Sequence, residues 1–254
     1  MKISKVLLLF ITFISIFNCT TNKHDFPLEK QYWDIKDYDK AILDLRFGYL
    51  NNEPKPTFDN PEKRIIVEKL LDKQNYKVIL DDTTINLKER NKFAHDFFDQ
   101  WKEMTSIYEE KDANNKYIYG KELLAVWHFG LEFHMEYFTI GNNAIYTFSA
   151  NPNGDKVINR INENMTELVK NFSKYMNLIK DEDAFYENEK EFFIKGIDTY
   201  FTKLIMQHPE ADYKRVEEKV NTVLKKIESK EIRNSLDSLL ETINFIKLKK
   251  TDVI

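Results

Sequence analysis

Residues 131–148, LEFHMEYFTIGNNAIYTF, decide the fold, because they admit two periods. Phe133, Met135 and Tyr137 alternate with Glu132, His134 and Glu136, the period of a half-buried strand. On that reading Gly141-Asn142-Asn143 is a hairpin turn into Ala144-Ile145-Tyr146-Thr147-Phe148, a β-branched and aromatic run. The helical spacing of Leu123, Leu124, Trp127, Leu131 and Met135 argues the other way, with Gly130 at the change of period. The expectation is a helix to about Phe129 and a β-hairpin over 131–150.

Upstream, the apolar residues recur at helical spacing. Tyr32, Ile35, Ile42, Leu45 and Tyr49 share one face, and Asn51-Asn52-Glu53-Pro54-Lys55-Pro56 ends that helix, since residues before proline avoid the helical region. Asn60-Pro61 opens a second helix carrying Ile65, Ile66, Leu70 and Leu71. Tyr76 to Leu80 reads as a brief strand. Asn86 and Glu89 stand at capping-box spacing before the stripe Phe93, Phe97, Trp101, Met104 and Tyr108.

Downstream, Asn151-Pro152-Asn153-Gly154 punctuates the chain, and longer helices follow. Their stripes are Ile158 to Ile179, Phe185 to Leu204, Val216 to Ile227 and Ile232 to Ile243, with a break at His208-Pro209. The expected class is therefore mainly α, with amphipathic helices, a C-terminal helical bundle and a short hairpin. Residues 31–150 and 151–254 read as two subdomains or as one continuous domain.

With 42% hydrophobic and 14% aromatic residues the chain carries enough apolar mass to fold, and its one cysteine excludes an internal disulfide. The formal charge is −4. A nucleic-acid partner has no electrostatic invitation, and cationic partners are weakly favoured.

The N-terminus supplies a separate signal. Lys2 and Lys5 precede the apolar run Val6 to Phe17, and the single cysteine, Cys19, closes it before the polar segment Thr20 to Asp25. The run is shorter than the roughly 20 residues a spanning helix needs. This stretch resembles bacterial lipoprotein signal peptides, with Ile16-Phe17-Asn18-Cys19 in the place of the lipobox. Asn18 stands where that class usually has Gly, Ala or Ser. The resemblance covers residues 1–19 alone. It implies a signal peptide over 1–18 and acyl chains, palmitate among them, on Cys19, so that the membrane is a partner through lipid and 19–30 is a spacer. Loss of Lys2 and Lys5 takes the formal charge from −4 to −6. Thr20 in place of Asp, and Thr21 to His24 ahead of the first acid, imply an outer-membrane anchor facing the periplasm, with cell-surface display as the alternative.

No metalloprotease His pair, glycine-rich phosphate loop, serine elbow or cysteine cluster occurs, and no cofactor is expected. The best constellation is His128, Glu132, His134 and Glu136. On a strand, residues 132, 134 and 136 share a face and would offer two carboxylates and an imidazole to a metal; the plainer reading is a solvated strand face. Three function classes follow. One is a lipoprotein that binds a protein in the periplasm, such as an immunity protein neutralising a toxin. Another is a scaffold lipoprotein of an envelope complex, and the last is a metal-dependent hydrolase. Exposed Trp33, Tyr38, Tyr117 and Tyr119 would mark a binding face, whereas a cleft of converging His and Glu would favour an enzyme.

Overall fold

The computed structural model describes residues 24, 26–49 and 53–251; the signal segment, Cys19, Asn51 and Asn52 lie outside them. Helix α1 (Ile35–Leu43) is capped by the Asp34 carboxylate, which accepts from the Asp37 N–H, and continues as a π-helical turn over Asp44–Gly48. Two short helices follow, α2 (Arg64–Leu70) and α3 (Gln74–Leu80). Then come α4 (Leu87–Tyr108) and the long α5 (Gly120–Phe148). Among the described residues the structure is helical, and β pairing is limited to an isolated antiparallel bridge between Lys111 and Tyr117.

The hairpin expected over 131–150 does not form, because α5 runs straight through it. The first half of α5 is buried on every side: Leu131, Glu132, Phe133, His134 and Met135 are all inside. A helix enclosed all round has no one-sided apolar stripe, so its pattern imitates a strand without being one. Gly130 marks a crossing rather than a change of period. A Cβ there would stand 2.2 Å from the Trp101 indole, whose Nε1–H donates to the Val126 carbonyl at 2.8 Å. Asn142, expected in a turn, is buried in the helix and accepts from Asn164 Nδ2 at 2.8 Å.

The strand expected at Tyr76–Leu80 is α3 instead. Asp72 accepts from the Gln74 N–H at 2.9 Å, and buried Asn75 ties the helix to its neighbours, accepting from the Trp33 N–H and donating to the Tyr38 hydroxyl. The two Asn75 bonds satisfy polar groups that would otherwise be costly to bury.

Beyond Gly154 the expected stripes hold in the main, except that Ile158, in the first turn of its helix, is exposed and the second stripe is segmented. Helix α6 (Asp155–Lys180) buries Ile161, Met165, Leu168, Phe172, Tyr175 and Ile179. Short 3-10 turns lead to α7 (Lys190–Lys195), a π-helical turn over Gly196–Phe201, and α8 (Thr202–Gln207). The break falls at His208, ahead of Pro209. Helices α9 (Lys214–Leu224) and α10 (Lys230–Thr251) complete the body. Helix α5 lies between α4 and α6, α9 packs along α6, and α10 packs on the α7–α8 segment. One buried cluster runs from Trp33 to Ile243, across the 151–154 punctuation.

Trp33, Tyr38, Tyr117 and Tyr119 belong to this core and form no exposed face. Part of the stretch read as spacer also belongs to the body. Phe26 and Leu28 pack on the core, and His24 stacks on Tyr49 while bonding Asp44 at 2.8 Å and Glu53 at 3.1 Å. Among the described residues no helix is long and apolar enough to cross a membrane.

Candidate functional site

Helical geometry redistributes the four residues that a strand would have aligned. At 3.6 residues per turn, His128, Glu132 and Glu136 follow one another at i, i+4 and i+8, while His134 sits about 200° around the axis from Glu132. Two carboxylates and one imidazole therefore share a face of α5, and the second imidazole is turned away. Among the described residues no group of three or more His, Cys, Asp or Glu side chains is placed to hold a metal ion.

His134 is a packing residue. It lies against Trp101 and Phe98, and its Nδ1 donates to the Gly130 carbonyl one turn back at 2.5 Å. Burial pushes its pKa down to about 4, against the pull of that carbonyl, so the ring is neutral near pH 7. His128 is also neutral, brought down to about 3 by burial first and the Lys195 charge second. Its Nε2 meets the Tyr175 hydroxyl at 2.8 Å. That hydroxyl reaches it across Gly196, where a Cβ would stand 2.2 Å away.

Glu132 sits between two ammonium groups, Lys73 at 2.6 Å and Lys203 at 3.3 Å. Burial would raise its pKa, but the Lys73 bond and charge, joined by Lys203, outweigh burial and hold it below the usual range. Glu136 goes the other way, raised by burial and only partly restrained by Lys77 at 3.4 Å.

His128 and Glu132 line an open cleft of about 340 Å³. Its walls are aromatic and aliphatic, from Phe58, Leu71, Phe129, Phe192 and Tyr200, and its rim carries Arg64, Lys73, Lys121 and Lys195 against Asp59 and Glu132. Convergence of His and Glu here is the feature expected to favour an enzyme. Both groups are engaged, however: the imidazole is far too weak a base to hold a proton near pH 7, and the carboxylate is neutralised by two lysines.

A larger groove of about 670 Å³ opens at the other end of α5, in the segment read as a hairpin. Its floor is Leu80, Leu87, Tyr137, Ile140, Ile145 and Phe148. Its charged lining is Lys88, Arg90, Lys156 and Arg160, with no carboxylate. Phe148 is 74% exposed. Sequence reasoning missed this site because its residues come from four helices, α3 to α6, and no local motif joins Arg90 to Arg160. No protein-family model, curated protein or solved structure matches the chain.

Proposed function

We propose that this protein is a lipid-anchored envelope protein of the outer membrane that binds a protein partner in the periplasm through the groove at the end of α5. The carrying observation is an apolar floor rimmed by four cations without a carboxylate. Such a lining suits an amphipathic helix whose apolar face enters the groove and whose acidic flank meets the lysines and arginines. The groove is concave, which favours a helix over a flat lipid surface. Its local charge opposes that of the whole chain, so the preferred partner is acidic rather than cationic. A toxin neutralised on arrival in the periplasm is a partner of this kind. The tether rests on the resemblance of residues 1–19 to lipoprotein signals.

A photo-reactive residue at Phe148, introduced in the native host, tests the reading. The expected product is a discrete acidic protein adduct that is lost with Lys156→Glu plus Arg160→Glu. Adducts to lipid alone, or an adduct indifferent to the charge reversal, would refute the docking surface. Metabolic acyl labelling that marks the wild type and fails in Cys19→Ser supports the anchor, and an unlabelled wild type removes it.

A further inference from the structure

The cleft over His128 is a different kind of site from the groove, and its lining carries an inference of its own. Three of its four cations have carboxylate partners: Arg64 bonds Glu68 at 2.7 Å, Lys73 bonds Glu132 at 2.6 Å and Lys121 bonds Asp59 at 2.7 Å. Lys195 has no carboxylate partner among the described residues and stands exposed at the rim. The Lys121–Asp59 pair is also available, because an exposed ion pair contributes only about 0–1 kcal/mol and yields readily to a competing anion. Two ammonium groups at the mouth can thus turn toward a ligand, while Glu132 stays committed to Lys73 and Lys203.

Below the rim the surfaces are flat. The His128 ring lies nearly parallel to Phe192, 24° between planes, and 4.9 Å from Tyr200, with Phe58 and Phe129 completing the walls. With its ring uncharged and bonded to Tyr175, His128 presents an aromatic face rather than a cation. A volume of about 340 Å³ lies at the lower end of the range for small-molecule pockets.

We propose that this cleft binds a small organic anion, a carboxylate or phosphate carried on a flat apolar body, with Lys195 and Lys121 receiving the charge and the aromatic walls receiving the body. The site is independent of the protein-docking groove. It asks nothing of Glu132 or His128 as acid or base.

The test uses 8-anilinonaphthalene-1-sulfonate, an aromatic anion whose fluorescence rises in apolar surroundings, titrated into the folded domain. Saturable binding is expected. Lys195→Glu should weaken it by about tenfold or more, the effect of reversing one charge close to a bound anion. Ala125→Phe, which fills the cleft from its lining, should abolish it. Arg160→Glu, in the other groove, should leave it unchanged. Benzoate and phenyl phosphate should compete, and benzylamine should not. Benzoate alone competing assigns the ligand to carboxylates, and phenyl phosphate alone assigns it to phosphates. Dye binding that ignores Lys195→Glu and Ala125→Phe in variants with wild-type helical circular dichroism, or equal competition by benzylamine, overturns the proposal. Loss with Arg160→Glu alone would place the dye in the groove and overturn it equally.

Discussion

The two halves of α5 are one continuous helix in two different environments. From Gly120 to Met135 nearly every side chain is enclosed, and the buried carboxylates and imidazoles are bonded, Glu122 accepting from the Phe58 N–H, whereas the buried Trp127 indole N–H has no partner among the described residues. From Glu136 to Phe148 the same helix is half-exposed, and its apolar residues floor a groove instead of filling a core. The difference teaches that helical continuity says little about role. The first half holds the fold together and so tolerates little change, whereas the second contributes a surface.

If that contrast is right, truncation should separate the halves most strongly. Phe133 is fully buried among Tyr76, Phe97 and Phe98, so Phe133→Ala should cost about 3–5 kcal/mol in denaturant unfolding. Tyr146, 45% exposed, should lose no more than about 0.5 kcal/mol as Tyr146→Ala. Comparable costs would dissolve the distinction.

Through the histidines, acid should act on the first half, since the second has none. His128 and His134 are held neutral in the fold, near 3 and 4, while the unfolded chain takes up protons near 6.5. A group depressed by folding contributes stability that is complete above the unfolded pKa and is lost as pH falls toward the folded value. Between pH 7.5 and 5.5 the two together should remove about 3 kcal/mol. Comparing the slope of wild type with those of His128→Gln and His134→Gln cancels the carboxylates, and unchanged slopes would show that neither ring is kept neutral.

One glycine from each half sharpens the comparison at the smallest scale, with opposite signs. Gly130→Ala drives a methyl into the Trp101 ring and should cost about 1–3 kcal/mol despite the better helix propensity of alanine. Gly141→Ala meets nothing within 4 Å and should gain about 0.5–1 kcal/mol. Thermal melts of the two variants that shift in the same direction would refute it.

Legibility in the sequence followed the same division. One-sided stripes are readable where a long helix has a wet face: Phe97, Trp101, Met104 and Tyr108 are buried as their spacing predicts, and Asn86 accepts from the Glu89 N–H, whereas Tyr32, Ile65 and Ile158, at or near helix starts, are exposed against expectation. Where water touches no side the period vanishes, and so Glu132 to Tyr137 looked like a strand. Tyr76 to Leu80 is a helix rather than the strand its apolar run suggests, and the contacts of the adjoining Asn75 with Trp33 and Tyr38, far away in the chain, leave no local sign. His128 and Glu132, read from the sequence as members of a metal constellation on a strand, line one cleft instead because their spacing is helical. His134 was grouped with them by a period the chain does not follow.

The clamp on His24 sets a length. With the imidazole fixed between Asp44 and Glu53, the proposed lipid on Cys19 is joined to the body by about five residues, which reach at most ~18 Å when fully stretched. A body of about 230 residues has a radius of gyration of about 17 Å. The proposed mooring would therefore be no longer than the hull is wide, and a molecule so anchored could not roll over on it. On such an anchor one hemisphere would shade the leaflet, and a partner would come from the other side or along the membrane plane, at an effective concentration set by that short arc.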